Sequence, residues 1–145
     1  MQNLPHNYVV SSRVSARENI ELSSPGLAAL DAAPPAEFGG PGDLWSPETL
    51  LAASVASCFI LTFRAVARAS KLEWTELVCD VDAVLDRVDR VTRFTEIREQ
   101  VVLDVPAGTD EAKALRLLEK AEQACLVTNS LSAEVKLEAK VRVAE

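Results

Sequence analysis

One histidine, His6, serves the whole 145-residue chain. Serine–histidine–aspartate and cysteine–histidine catalysis, and zinc centres built on imidazole, all need that ring beside the chemistry. A single copy near the N-terminus excludes most of them. Basic residues are also scarce: 15 Lys and Arg stand against 22 Asp and Glu, for a net charge of −7. Without a basic stripe to neutralise phosphates, nucleic acid is not an expected partner. No apolar run approaches the roughly 20 residues that span a bilayer, so no membrane partner is expected. Residues 1–10 lack the basic start and apolar block of a secretory leader, which places the chain in the cytoplasm. Three cysteines in a reducing compartment are not a disulfide framework; they are catalytic, redox-sensing or simply buried. The acidic run from Asp80 to Asp89 has no regular ligand spacing and reads as the solvent face of a strand, so neither a metal nor a cofactor is expected.

What is present is the patterning of one α+β domain over residues 1–145, with a largely antiparallel sheet and helices on one side. Residues 1–30 alternate loosely, with Tyr8, Val10, Ser12 and Val14 separated from Ile20 and Leu22 by a turn at Glu18-Asn19, and a third strand or loop through Leu27 and Leu30. Residues 31–45 are rich in proline and glycine and read as a loop. Ser46-Pro47-Glu48 is a helix start: a cap, a first-turn proline and a first-turn carboxylate. The helix it opens, 46–70, places Leu51, Val55, Cys58, Phe59, Thr62 and Val66 on or beside one face and is apolar enough to be deeply buried. Residues 74–106 read as a strand pair, with Leu77, Cys79, Val81, Ala83 and Leu85 inward on the first and Ile97, Val101, Leu103 and Val105 inward on the second. A second helix, 109–125, is capped by Thr109 or Asp110 and follows Leu115, Leu118 and Ala121. The last strand, 133–144, alternates Val135, Leu137, Ala139, Val141 and Val143 with charged residues.

Two of the thiols stand out. Cys58 closes the stretch Ser46-Pro47-Glu48-Thr49-Leu50-Leu51-Ala52-Ala53-Ser54-Val55-Ala56-Ser57-Cys58, and Cys125 opens Cys125-Leu126-Val127-Thr128-Asn129-Ser130-Leu131. Thiol charge and oxidation state are readily set by surroundings, so the pair suggests redox chemistry. Cys79, in register with Leu77 and Val81, reads as core filler. Trp45 and Trp74 read as packing anchors near helix ends.

The stretch from Ser46 to Phe59 resembles the "NPE-L-AA…ACF" signature of the OsmC/Ohr family of thiol peroxidases, and the stretch opened by Cys125 resembles its second motif, Cys-Pro-Val-Ser-x-x-Leu. Ser46 stands in place of the usual asparagine and Leu126 in place of the usual proline. The order of strands and helices matches too, so the resemblance covers essentially the whole chain.

The resemblance implies an intertwined homodimer with two central helices and with active sites at the dimer interface. It implies reduction of organic hydroperoxides, with Cys58 attacking the peroxide and Cys125 resolving the product to a disulfide. An external dithiol, a lipoyl group or a small thiol in this family, would then reduce that disulfide. It assigns Glu48 to the family's glutamate and Arg17 to its hairpin arginine, with Arg13 in reserve. With no histidine to hand, a guanidinium held by a carboxylate is a chemically sensible activator of a thiol. The alternative is a protein of the same fold that binds a small ligand or acts as a redox switch without peroxidase turnover.

Overall fold

The computed structural model describes residues 3–16 and 18–145, in two compact units, one through Leu50 and one from Leu51 to Glu145. The first unit carries a small antiparallel meander of β1 (Ser11–Arg13), β2 (Ile20–Ser23) and β3 (Leu30–Ala32). Arg13 faces Glu21 across β1 and β2, and Glu21 faces Asp31 across β2 and β3. The third strand thus begins at Leu30, not Leu27, and runs into the segment expected to be loop. The proline–glycine segment behind it folds into a short 3-10 turn at Ala36–Phe38. Gly40 is obligatory there, since a Cβ would stand 1.6 Å from the Pro34 carbonyl oxygen.

Helix α1 (Pro47–Ala69) begins as its sequence dictates. The Ser46 hydroxyl accepts from the Thr49 amide at 3.1 Å, and the Thr49 hydroxyl accepts in return from the Ser46 amide at 2.8 Å. This reciprocal cap satisfies donors that the first turn leaves free. At its other end Lys71 adopts φ 51°. The Leu72 amide there reaches the Ala67 carbonyl at 2.9 Å, and the Lys71 amide reaches Arg68 at 3.2 Å. That is a Schellman ending achieved without glycine.

The second unit is a three-stranded sheet, β4 (Glu76–Val88), β5 (Val91–Val105) and β6 (Glu134–Val143), in that spatial order. Strands β4 and β5 pair antiparallel through a hairpin whose two central residues, Asp89 and Arg90, both have positive φ. A two-residue loop of this kind matches the strand twist. Strand β6 pairs parallel to β5, the one parallel pairing among the described strands of a largely antiparallel fold. Helix α2 (Glu111–Gln123) is the crossover that returns the chain to the starting end of the sheet, as a parallel pairing requires. Asp110 caps it, accepting from the Lys113 amide at 3.0 Å.

The core lies between α1, α2 and one face of this sheet. Phe59, Phe63 and Ala67 of α1 meet Ala114, Leu117, Leu118 and Ala121 of α2 over Val101, Leu103, Val105 and Val141. Phe63 also meets Trp74 edge-on at 5.7 Å. Full burial of side chains such as Phe59, Phe63 and Leu118 contributes about 1.5–3 kcal/mol each. The α1 stripe is thus Val55, Phe59, Phe63 and Ala67, and the α2 stripe is centred on Leu117 and Leu118 rather than Leu115. Leu85, expected inward, is exposed because a bulge between Val84 and Leu85 shifts the register. Val143, at the strand end, is also exposed.

By length and composition α1 is apolar enough to cross a membrane, yet one side of it packs into this core. Only 22% of its most apolar eighteen-residue stretch is buried in the single chain.

Candidate functional site

Cys58 lies half-buried at the middle of α1, beside the buried stripe that Val55 and Phe59 define. Its sulfur is 4.0 Å from the Thr62 hydroxyl one turn on. Cys125 does not lie in a helix: α2 ends at Gln123, and Cys125 sits in the turn that follows. That turn is tied by local bonds. The Cys125 amide donates to the Glu122 carbonyl at 3.0 Å, and the Cys125 carbonyl accepts from the Asn129 amide at 3.0 Å and the Thr128 hydroxyl at 3.1 Å. The Asn129 side chain closes back on the Gln123 carbonyl at 3.1 Å. The result is a fully buried Cys125 beside a Leu126 that is 70% exposed.

The fold brings these two thiols near each other: Cys58 is close enough to act on the charge state of Cys125. Burial raises the Cys125 thiol above its ordinary value. Thr128 pulls it down, while neighbouring Cys58 pushes it up again. The net direction is upward.

A third thiol and a carboxyl complete the cluster. Cys79 on β4 is pushed up to about 12, by burial first and then by Glu99, Asp80 and Cys125. Glu99 on β5 is fully buried, and neither of its carboxyl oxygens has a hydrogen-bond partner. Burial, with Glu122 of α2 adding repulsion, raises it to about 7. Glu99, Glu122 and Thr128 were not singled out in the sequence. The signal for Glu99 was present, since strict alternation through Ile97 and Val101 points residue 99 inward as well.

The remaining expected site residues fall in the first unit. Arg17 lies outside the described residues. Arg13 is exposed and donates to Glu21 at 3.1 Å. Glu48 is in the first turn of α1, half-buried, with one carboxyl oxygen shielded from solvent and unpaired.

Comparison with known proteins agrees with this arrangement of helices and strands. The family model for OsmC-like protein matches residues 40–140. This chain belongs to the OsmC/Ohr family. It is 34% identical over 123 residues, 83% of each chain, to an organic hydroperoxide resistance protein of Xanthomonas axonopodis pv. citri. It is 28% identical over 143 residues, 95% of each chain, to the uncharacterized protein YmaD of Bacillus subtilis. Among solved structures, an OsmC-like protein of unknown function from Vibrio cholerae superposes with a TM-score of 0.80 at 16% identity, covering 95% of this chain and all of that one. The α+β fold with two helices is therefore the OsmC fold, and the family ties the chain to hydroperoxide resistance.

Glu99 gives this OsmC-like domain a distinct pH response. Its carboxyl moves from an ordinary 4.5 to about 7 on folding, so its stabilising contribution is complete below about pH 4.5 and is lost as pH rises to 7. Glu99→Gln should flatten that part of the curve and stabilise the protein at pH 7.5, by up to about 3 kcal/mol. Urea denaturation at pH 5 and 7.5 checks this; parallel pH dependence in the two proteins contradicts it.

Proposed function

We propose that this protein reduces organic hydroperoxides by a two-thiol cycle. The observation that carries the reading is the approach of Cys58, a half-buried thiol of α1, to Cys125, the fully buried thiol of the turn after α2. Cys58 is the more exposed of the two and leaves its sulfur available to an incoming peroxide.

The Cys58 thiolate attacks the terminal peroxide oxygen, the O–O bond breaks, and the alkoxide takes a proton and leaves as an alcohol. Cys58 is then a sulfenic acid. The Cys125 thiol condenses with it, forming the sulfur–sulfur bond and releasing water. An external dithiol, lipoyl or small, returns both sulfurs to thiols by exchange and is itself oxidised to a disulfide. By the family resemblance Arg17 is the cation assigned to the Cys58 thiolate and the departing alkoxide, with Arg13 in reserve, and Glu48 is the carboxylate assigned to orient it. An alkyl chain is favoured over hydrogen peroxide because exposed Leu126 stands next to Cys125, and each buried methylene contributes about 0.8 kcal/mol. The name of the Xanthomonas relative supports the same substrate class.

A second copy of the chain covers the open side of α1, where Leu61 is 60% exposed. A helix this apolar with so little of it buried needs such a cover. The resulting homodimer works in the cytoplasm, where thiol reductants regenerate it.

With dithiothreitol present, the wild type should consume cumene hydroperoxide continuously and Cys58→Ser should not. Cys125→Ser should complete about one turnover and then stall as Cys58 over-oxidises. Equal rates in wild type and Cys58→Ser would end the peroxidase reading. Sedimentation at micromolar concentration should give two chains, and Leu61→Glu should shift the protein toward one. A monomeric wild type contradicts the dimer.

A further inference from the structure

Cys79 is the thiol that the proposed cycle leaves unused, and its position makes it a hazard. In the antiparallel register Cys79 faces Val101 and Val81 faces Glu99, so Glu99 is the diagonal neighbour of Cys79 on the same face of the sheet. Glu99 is fully buried and unpaired at both oxygens. The charges that reach Cys79 come from Glu99 on β5, from Asp80 beside it, and from Cys125 in the turn after α2. The charge that reaches Glu99 comes from Glu122 on α2. Cys79 thus has an uncompensated buried carboxyl as its diagonal neighbour, and Cys125 is near enough to act on its charge.

A Cys79 thiolate could attack the Cys125 sulfur of a Cys58–Cys125 disulfide. The Cys79–Cys125 bond would form, the Cys58–Cys125 bond would break, and Cys58 would leave as a thiolate with no net oxidation. Cys58 would then meet further peroxide with its resolving partner occupied, and would proceed toward sulfinic acid. We propose that Glu99 is an electrostatic guard that adds to burial in keeping Cys79 a protonated thiol and so confines disulfide exchange to Cys58 and Cys125. The hazard described rests on the peroxidase reading; the guard itself acts on any Cys58–Cys125 disulfide, whatever oxidant made it. Because the Glu99 carboxyl ionises at about 7, its charge is in place over the range where neighbouring thiols begin to ionise.

The test uses wild type, Glu99→Asp, Glu99→Gln, Glu99→Leu and the double variant Glu99→Gln/Cys79→Ala. Each is oxidised at pH 8, with diamide in one arm and cumene hydroperoxide in the other, and peptide-mapped without reduction. Wild type and the charge-preserving Glu99→Asp should give the Cys58–Cys125 crosslink alone. Glu99→Gln and Glu99→Leu, which discharge the site by two routes, should raise the Cys79–Cys125 crosslink about tenfold, and the double variant should lose it. Iodoacetamide should label Cys79 of the reduced, discharged variants faster by a similar factor. Identical maps and labelling rates in wild type and the discharged variants overturn the guard, as does a wild-type map that already contains Cys79–Cys125. Diamide crosslinks obtained without any from the hydroperoxide would instead defeat the peroxidase reading and leave the guard standing.

Discussion

The approach of the Cys58 and Cys125 thiols joins two points 67 positions apart in the chain, and much of the second unit exists in a form that holds them there. Helix α1 must be seated at a fixed height on the sheet, which the ladder of Val55, Phe59, Phe63 and Ala67 accomplishes. Helix α2 must end within reach of it. The parallel crossover fixes where α2 runs, and the turn after Gln123 aims Cys125 inward through bonds to Thr128 and Asn129. A thiol placed in a helix would point where the helix period sends it. A thiol in a tied turn can be aimed independently, and that freedom separates a buried resolving sulfur from the exposed Leu126 beside it.

This placement is held against opposing costs. Desolvation disfavours thiolates and carboxylates alike, and the cluster contains two thiols pushed upward and a fully buried carboxyl with no partner. An apolar residue at 99 would extend the row of Ile97, Val101 and Leu103 without interruption. Groups that lower stability while standing beside reactive atoms are where a fold departs from its own rules for the sake of chemistry. The outer face of the same sheet shows the opposite regime. There Arg98 pairs with Asp82 at 3.1 Å and Arg142 with Asp104 at 2.5 Å, all exposed enough that water screens them.

Much of this was legible in the sequence because the signals were local. Ser46-Pro47 and Asp110 mark helix starts by capping chemistry, and the alternation in residues 134–143 marks a strand with no competing pattern. The two thiol motifs were legible because their residue types and spacing resemble those of a known family. What was not legible depends on pairings made elsewhere. The direction of β6 follows from the crossover, the exposure of Leu85 follows from a bulge, and the Asp89-Arg90 hairpin uses positive φ at residues that do not advertise it. Glu99 was missed for another reason: a charged residue at an inward position was passed over in favour of its apolar neighbours, although the alternation placed it correctly.

If these two sulfurs are within bonding reach and act in sequence, the mass of the intact protein after one equivalent of hydroperoxide is decisive. The account requires a loss of about 2 Da, the signature of a disulfide, with Cys79 still free. A gain of about 16 or 32 Da, left as sulfenic or sulfinic acid without any crosslink, would show that Cys125 does not reach Cys58.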